Sequence, residues 1–203
     1  MAYRTTPKMA ARKDARRRTL LDAALRLFGA AGYHATTVPM IVADAASSTG
    51  SFYFYFRNKE DVFAAVLQDL AARLSTALNQ AIAAEPAPLL QMRAAVTRLF
   101  LFLAENPAEA RILVLESSGL SPRLEQLRRE ILATHVRGVE AALSRLNFAM
   151  DASIAAHCWV GAVFEAVHFW LERPPEQRPP AHDVAAAVAR FNLRAIGAPP
   201  GAL

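Results

Sequence analysis

The chain has 203 residues, of which 54 % are hydrophobic, a net charge of +5 and one cysteine, Cys158. So much apolar content supports a sizeable core and excludes a largely disordered chain. A lone cysteine excludes an intrachain disulfide and fits a reducing compartment. The charge is uneven: the first 60 residues hold ten Lys and Arg against four Asp and Glu, a net +6, which leaves −1 for the remainder. The amino-terminal third is therefore either suited to a polyanionic partner or a solvated basic tail.

Residues 1–13 are polar and basic and read as a flexible arm. From 14 to 31, Leu20, Ala24, Leu27, Phe28 and Ala31 recur at helical spacing, and Gly32 closes that helix. Thr37 is placed to cap a second, short helix with Pro39 in its first turn, ending near Ala46. A third starts at Ser48 or Thr49 and ends near Tyr55. Asn58 caps a fourth, whose apolar positions (Val62, Phe63, Val66, Leu70, Leu74, Leu78) run to about 84, where Glu85-Pro86-Ala87-Pro88 breaks it. Further helices are predicted over 89–105, 107–117, 122–146, 151–172 and 181–196. The 151–172 segment is apolar almost all round, so it must be buried on more than one side. No strand or internal repeat emerges. The chain reads as all-α: a three-helix head over 1–57 with a helix-turn-helix, and a larger helical bundle over 58–203.

A helix-turn-helix that reads DNA needs one helix braced on the backbone and a second, with small or polar residues near its start, in the major groove. Residues 38–45 and 49–55 meet both needs. Leu27-Phe28, Gly32-Tyr33, Thr36-Thr37-Val38, Ile41, Ala45, Ser48, Gly50, Tyr53, Tyr55-Phe56 and Lys59-Glu60 together resemble the tetracycline-repressor (TetR) family of bacterial transcription regulators over about residues 18–63. The resemblance implies that Thr37, Tyr53 and Lys59 bind phosphates, and that Thr49, Gly50, Ser51 and Phe54 face base edges. Ser48 and Tyr55 complete the implied DNA-binding set, with core packing as the alternative for Tyr53 and Tyr55. Tyr33, Phe52 and Phe56 are expected to pack the small core.

Three positions depart from the family pattern: Val42 stands for an alanine, Ala46 for the turn glycine and Ser47 for a valine. A left-handed Ala46 would cost about 1–2 kcal/mol. The reading helix holds no Arg, Lys, Asn or Gln, so it lacks the strong bidentate base contacts. Arg12, Arg16, Arg17 and Arg18 then either read DNA shape through a minor groove or add nonspecific affinity.

The resemblance also implies a homodimer through the last two helices, for which Val184, Val188, Phe191 and Ile196 offer apolar contacts. The middle helices should enclose a cavity for a lipophilic effector of unknown identity. Sparse polar groups among apolar ones are the clue to such a site. They nominate Glu116, His135, Glu165 and His168, with hydrogen bonding at an interface or partial solvation as the alternative, and Phe100, Phe102 and Phe164 as aromatic lining or plain core. His157, Gly161, Phe164 and His168 share one helical stripe.

No nucleophile or acid/base constellation, phosphate loop or metal-ligand spacing is visible, so no catalytic residue, cofactor or metal is expected. No uncharged apolar run nears the roughly 18 residues of a membrane span. No amino-terminal run suits a signal peptide, so a cytoplasmic chain without a membrane partner is expected. The function implied is a repressor that a small effector releases from double-stranded operator DNA. The alternative is an effector-independent helix-turn-helix protein or an activator.

Overall fold

A computed structural model describes residues 7–146 and 150–199. The chain forms two compact units, Met1–Asp69 and Leu70–Leu203. The described elements are α1 (Pro7–Ala35), α2 (Val38–Asp44), α3 (Thr49–Tyr55), α4 (Lys59–Ala83), α5 (Pro88–Glu105), α6 (Pro107–Ala110), α7 (Pro122–Ser144), α8 (Ala152–Glu172) and α9 (Ala181–Ala195). A π-helical stretch, Arg111–Glu116, follows α6, and a short 3₁₀ turn, Pro175–Gln177, precedes α9. Among the described residues there is no strand. The expected boundary after 57 falls further along, inside α4, because Val62, Phe63, Val66 and Leu67 of that helix are buried in the first unit.

The first unit is built on α1. Leu20, Leu21, Ala24 and Phe28 form its buried seam. The Phe28 ring meets Phe63 edge-on at 4.9 Å and stacks on Tyr33 at 5.8 Å. Such aromatic pairs add about 0.5–1.5 kcal/mol beyond the area they bury. Gly32 interrupts α1 with φ 83° and ψ 169°, a backbone region that only glycine adopts at little cost. The buried Thr36 hydroxyl donates to the freed Gly32 carbonyl at 2.8 Å. The expected arm over 1–13 is corrected in part: Pro7 onward is helix, built from Ala, Arg and Lys, which are strong helix formers. Residues 1–6 lie outside the described residues.

In the second unit, α5 packs against α9, and α7 against α8. Phe100, Leu103, Trp159, Val163 and Trp170 are central to the core. By length and composition α8 is apolar enough to cross a membrane, yet it buries Trp159, Val163, Val167, Trp170 and Leu171 inside this unit. The Pro-rich link after α8 is held by Arg178, which donates to the carbonyls of Leu171 at 2.7 Å and Arg173 at 2.8 Å. Trp170 Nε1 donates to the Pro179 carbonyl at 3.0 Å.

Candidate functional site

Two short helices make the helix-turn-helix, and side chains start both. Thr37 Oγ1 accepts from the Met40 amide at 3.4 Å at the start of α2, and Ser48 Oγ accepts from the Ser51 amide at 3.1 Å at the start of α3. Such caps contribute about 1 kcal/mol each. At the end of α2 the Ala46 amide donates to Ala43 and the Ser47 amide to Val42, at 3.1 and 3.0 Å. That is the Schellman pattern, and it requires a left-handed residue at its centre. Ala46 takes this conformation, with φ 45°, and is the only non-glycine among the described residues to do so. Arg26 bonds Asp44 at 2.6 Å and ties the end of α2 to α1.

The faces of α3 divide cleanly. Phe52 is fully buried, and Phe56, just beyond the helix, is buried too. Tyr53 is 55 % and Phe54 66 % exposed, and Ser48, Thr49 and Gly50 are exposed beside them. Ser51 and Tyr55 are half-buried. A side chain added at Gly50 would meet nothing among the described residues, so packing within them does not require glycine there. An open face of hydroxyls and aromatics is what an external surface could use.

Lys59 sits differently from the expectation. Its ammonium donates to the Tyr33 carbonyl at 2.8 Å and the His34 carbonyl at 3.4 Å, and lies 4.3 Å from the Tyr33 ring centroid. Burial lowers its pKa. It therefore caps the carboxyl end of α1, where a cation is favoured, and has one N–H left to offer a phosphate. Among the four arginines expected to reach DNA, Arg18 is committed to Asp22 at 2.8 Å and Asp69 at 2.6 Å.

The second unit forms a half-open cavity of about 320 Å³ between α4, α5, α7, α8 and the π-helical stretch. Its buried wall is apolar: Leu74, Met92, Val96, Leu103, Val114 and Trp159. Exposed Asn79, Thr134 and Arg145 stand among its lining residues and give it a polar rim. Among the described residues, none that lines it is Asp, Glu or Lys. Of the seven nominated residues, His135 and Phe164 line this cavity. Burial pushes the His135 imidazole pKa down, which favours its neutral form.

The other five nominations are not among the residues that line this cavity. Phe100 and Phe102 are buried in the core and do not border the cavity. Glu116 takes two hydrogen bonds from Arg111 at 3.0 and 2.9 Å, because the π-helical path brings residues five apart together. Glu165 is exposed, and His168 lies 3.6 Å from Glu172 one turn on. The expected α8 stripe fails for the same reason: His157 and Gly161 are exposed, away from the cavity. Ser75, Asn79, Gln91, Thr134 and Arg145 line it instead. Only Ser75 and Asn79, one turn apart among apolar residues of α4, carried any signal in the sequence.

On the outside of the second unit, Phe191 is 66 % and Phe169 58 % exposed, and Ile154 is also open. Ile196, expected on a dimer face, is instead buried within the chain.

Residues 20–66 match the family described as bacterial regulatory proteins, tetR family. An uncharacterized HTH-type transcriptional regulator of Bacillus subtilis (strain 168), YdgC, is 29 % identical over 154 residues, covering 72 % of this chain and 76 % of that one. The fatty acid metabolism regulator protein of the same organism is 23 % identical over 158 residues, covering 75 % and 81 %. The crystal structure of the transcriptional regulator FadR from Bacillus subtilis, in complex with stearoyl-CoA, superposes with a TM-score of 0.78 at 20 % identity, covering 90 % of this chain and 98 % of that one.

Proposed function

From the premise that this chain belongs to the tetR family of bacterial regulatory proteins, and so is a transcriptional regulator rather than an enzyme, we propose that it is a cytoplasmic, homodimeric repressor that a lipophilic effector releases from its operator. The observation that carries the DNA half is the open face of α3. Ser48, Thr49, Gly50, Tyr53 and Phe54 are exposed together, and Gly50 has no packing reason among the described residues. Hydroxyls of Thr37 and Tyr53, with the spare donor of Lys59, suit phosphates. Ser51 and Tyr55, less exposed, flank them. Phe54 suits a thymine methyl, and Gly50 lets the helix backbone come close to the bases.

Support for the effector half comes from the cavity. Its volume lies at the lower end of the roughly 300–1,000 Å³ typical of small-molecule sites, and its apolar wall with a polar rim fits a hydrocarbon chain carrying a polar head. A similar protein binds stearoyl-CoA, which makes fatty-acyl thioesters the first class to try. His135 and Phe164 are the lining residues expected to touch such a chain. Helix α4 starts in the first unit and supplies Leu74, Ser75, Leu78, Asn79 and Ile82 to the cavity wall. It is thus the covalent route for coupling. A ligand shifts DNA affinity only if it binds one conformation better than the other. The test is fluorescence anisotropy of a labelled duplex bound to the protein, titrated with stearoyl-CoA, stearate and free CoA. Stearoyl-CoA is expected to displace the duplex, and Ala95→Phe, which fills the cavity, to retain DNA binding but lose the response. A thioester shown to occupy the cavity while leaving duplex affinity unchanged would contradict the release mechanism.

A further inference from the structure

Beyond the helix-turn-helix, α1 carries a second basic surface. Its buried seam is Leu20, Leu21, Ala24 and Phe28. Traced back toward the amino terminus at helical spacing, the same side is occupied by Lys13 and Arg17, with Arg12 and Arg16 next to them. The Lys13 ammonium lies 5.0 Å from the centroid of the Phe54 ring, and the Arg17 guanidinium 5.5 Å from that of Phe56. Cations at such distances are attracted to the ring face. These two stacks set the start of α1 alongside the exposed face of α3, where the leucine seam has run out.

Arg12 and Arg16 are exposed and carry no hydrogen bond or ion pair among the described residues. The contrast with their neighbours is sharp. Arg18 is tied to Asp22 and Asp69, Arg26 to Asp44, and Arg57 to Asp61. Two uncompensated guanidinium groups, one helical turn apart, are thus held beside the helix that reads DNA.

We propose that Arg12 and Arg16 grip the sugar-phosphate backbone of the same duplex that α3 reads. The proposal rests on that DNA reading and extends it to a surface outside the helix-turn-helix. Helical structure favours one of the two roles left open for these arginines. A helix about 10–12 Å across does not enter a minor groove about 6 Å wide. With the helix body outside that groove, their side chains are placed to meet phosphates at its edge. Phosphates carry no sequence information, so the pair strengthens binding to every duplex alike.

The experiment compares the full chain with an Arg12→Ala/Arg16→Ala variant and an Arg12→Lys/Arg16→Lys variant. Each is titrated at several salt concentrations against a duplex enriched from a random library by the unaltered protein, and against a shuffled duplex of equal composition. For the alanine pair, which removes four arginines from the proposed dimer, the slope of log K against log salt is expected to shrink by about 3.6 on both duplexes, at about 0.9 for each phosphate no longer neutralised. The ratio of the two affinities should not change. The lysine pair should keep the original slope. An unchanged slope in the alanine variant overturns the proposal, and so does a weakening confined to the enriched duplex, which would make these arginines sequence readers. If the unaltered protein shows no salt-sensitive duplex binding, the DNA reading beneath the proposal falls with it; unaltered binding with an unchanged variant slope removes this proposal alone.

Discussion

Ala46 shows how a single residue can be strained by the role it fills. Its amide and that of Ser47 close α2, and the closure demands a positive φ that alanine accepts at a cost. Glycine at this position relieves the clash but adds freedom to the unfolded chain. The net expectation for Ala46→Gly is a gain of roughly 0.5–1 kcal/mol in chemical denaturation, with DNA binding intact. A loss of stability would mean that the turn leaves the left-handed region in solution. His135 and Glu116 illustrate the opposite difficulty. Both read alike in the sequence, as polar residues among apolar ones. His135 lines the cavity, whereas Glu116 is matched by Arg111 across a π-helical turn that no periodicity of 3.6 would reveal.

At the scale of the element, α3 is seven residues long and does two jobs on opposite faces. Phe52 faces the core, while Phe54, two positions on, stands in the open. Phe52→Ala is expected to destabilise the fold by about 3–5 kcal/mol. Phe54→Ala should change stability by less than about 0.5 kcal/mol yet erase much of the preference for one duplex over another. Thermal unfolding paired with DNA titration separates the two; equal destabilisation by both variants would deny α3 its external face. These short helices were legible because caps and turns are local chemistry. Thr37, Ser48 and Asn58 each bond an amide three residues on. The start of α1 was not legible. Its apolar pattern stops at Leu20, and what prolongs the helix is a run of Ala, Arg and Lys, helix formers that leave no apolar stripe to read.

For the whole molecule, the cavity and the proposed dimer face depend on which helix faces converge, and distance along the chain hides that. The cavity wall draws on residues from Leu74 to Val167, so its polar rim of Asn79, Thr134 and Arg145 had no common signal in the sequence. The apolar character of α8 was plain, but which of its residues stay uncovered was not. Phe169 and, on α9, Phe191 do, and a second copy of the chain is the proposed cover. Light scattering of the unaltered protein should give a dimer, and Phe169→Glu/Phe191→Glu a folded monomer. A dimer that persists in the variant would place the interface elsewhere.

The most direct measurement is selection of duplexes from a randomised DNA library by the full-length protein, repeated at rising salt. Enrichment of an inverted repeat, with affinity that falls as salt rises and selectivity that vanishes in Phe54→Ala, is the expected result. A pool that stays random after repeated rounds, from protein that is folded throughout, would contradict the assignment of α3 as a reader of DNA.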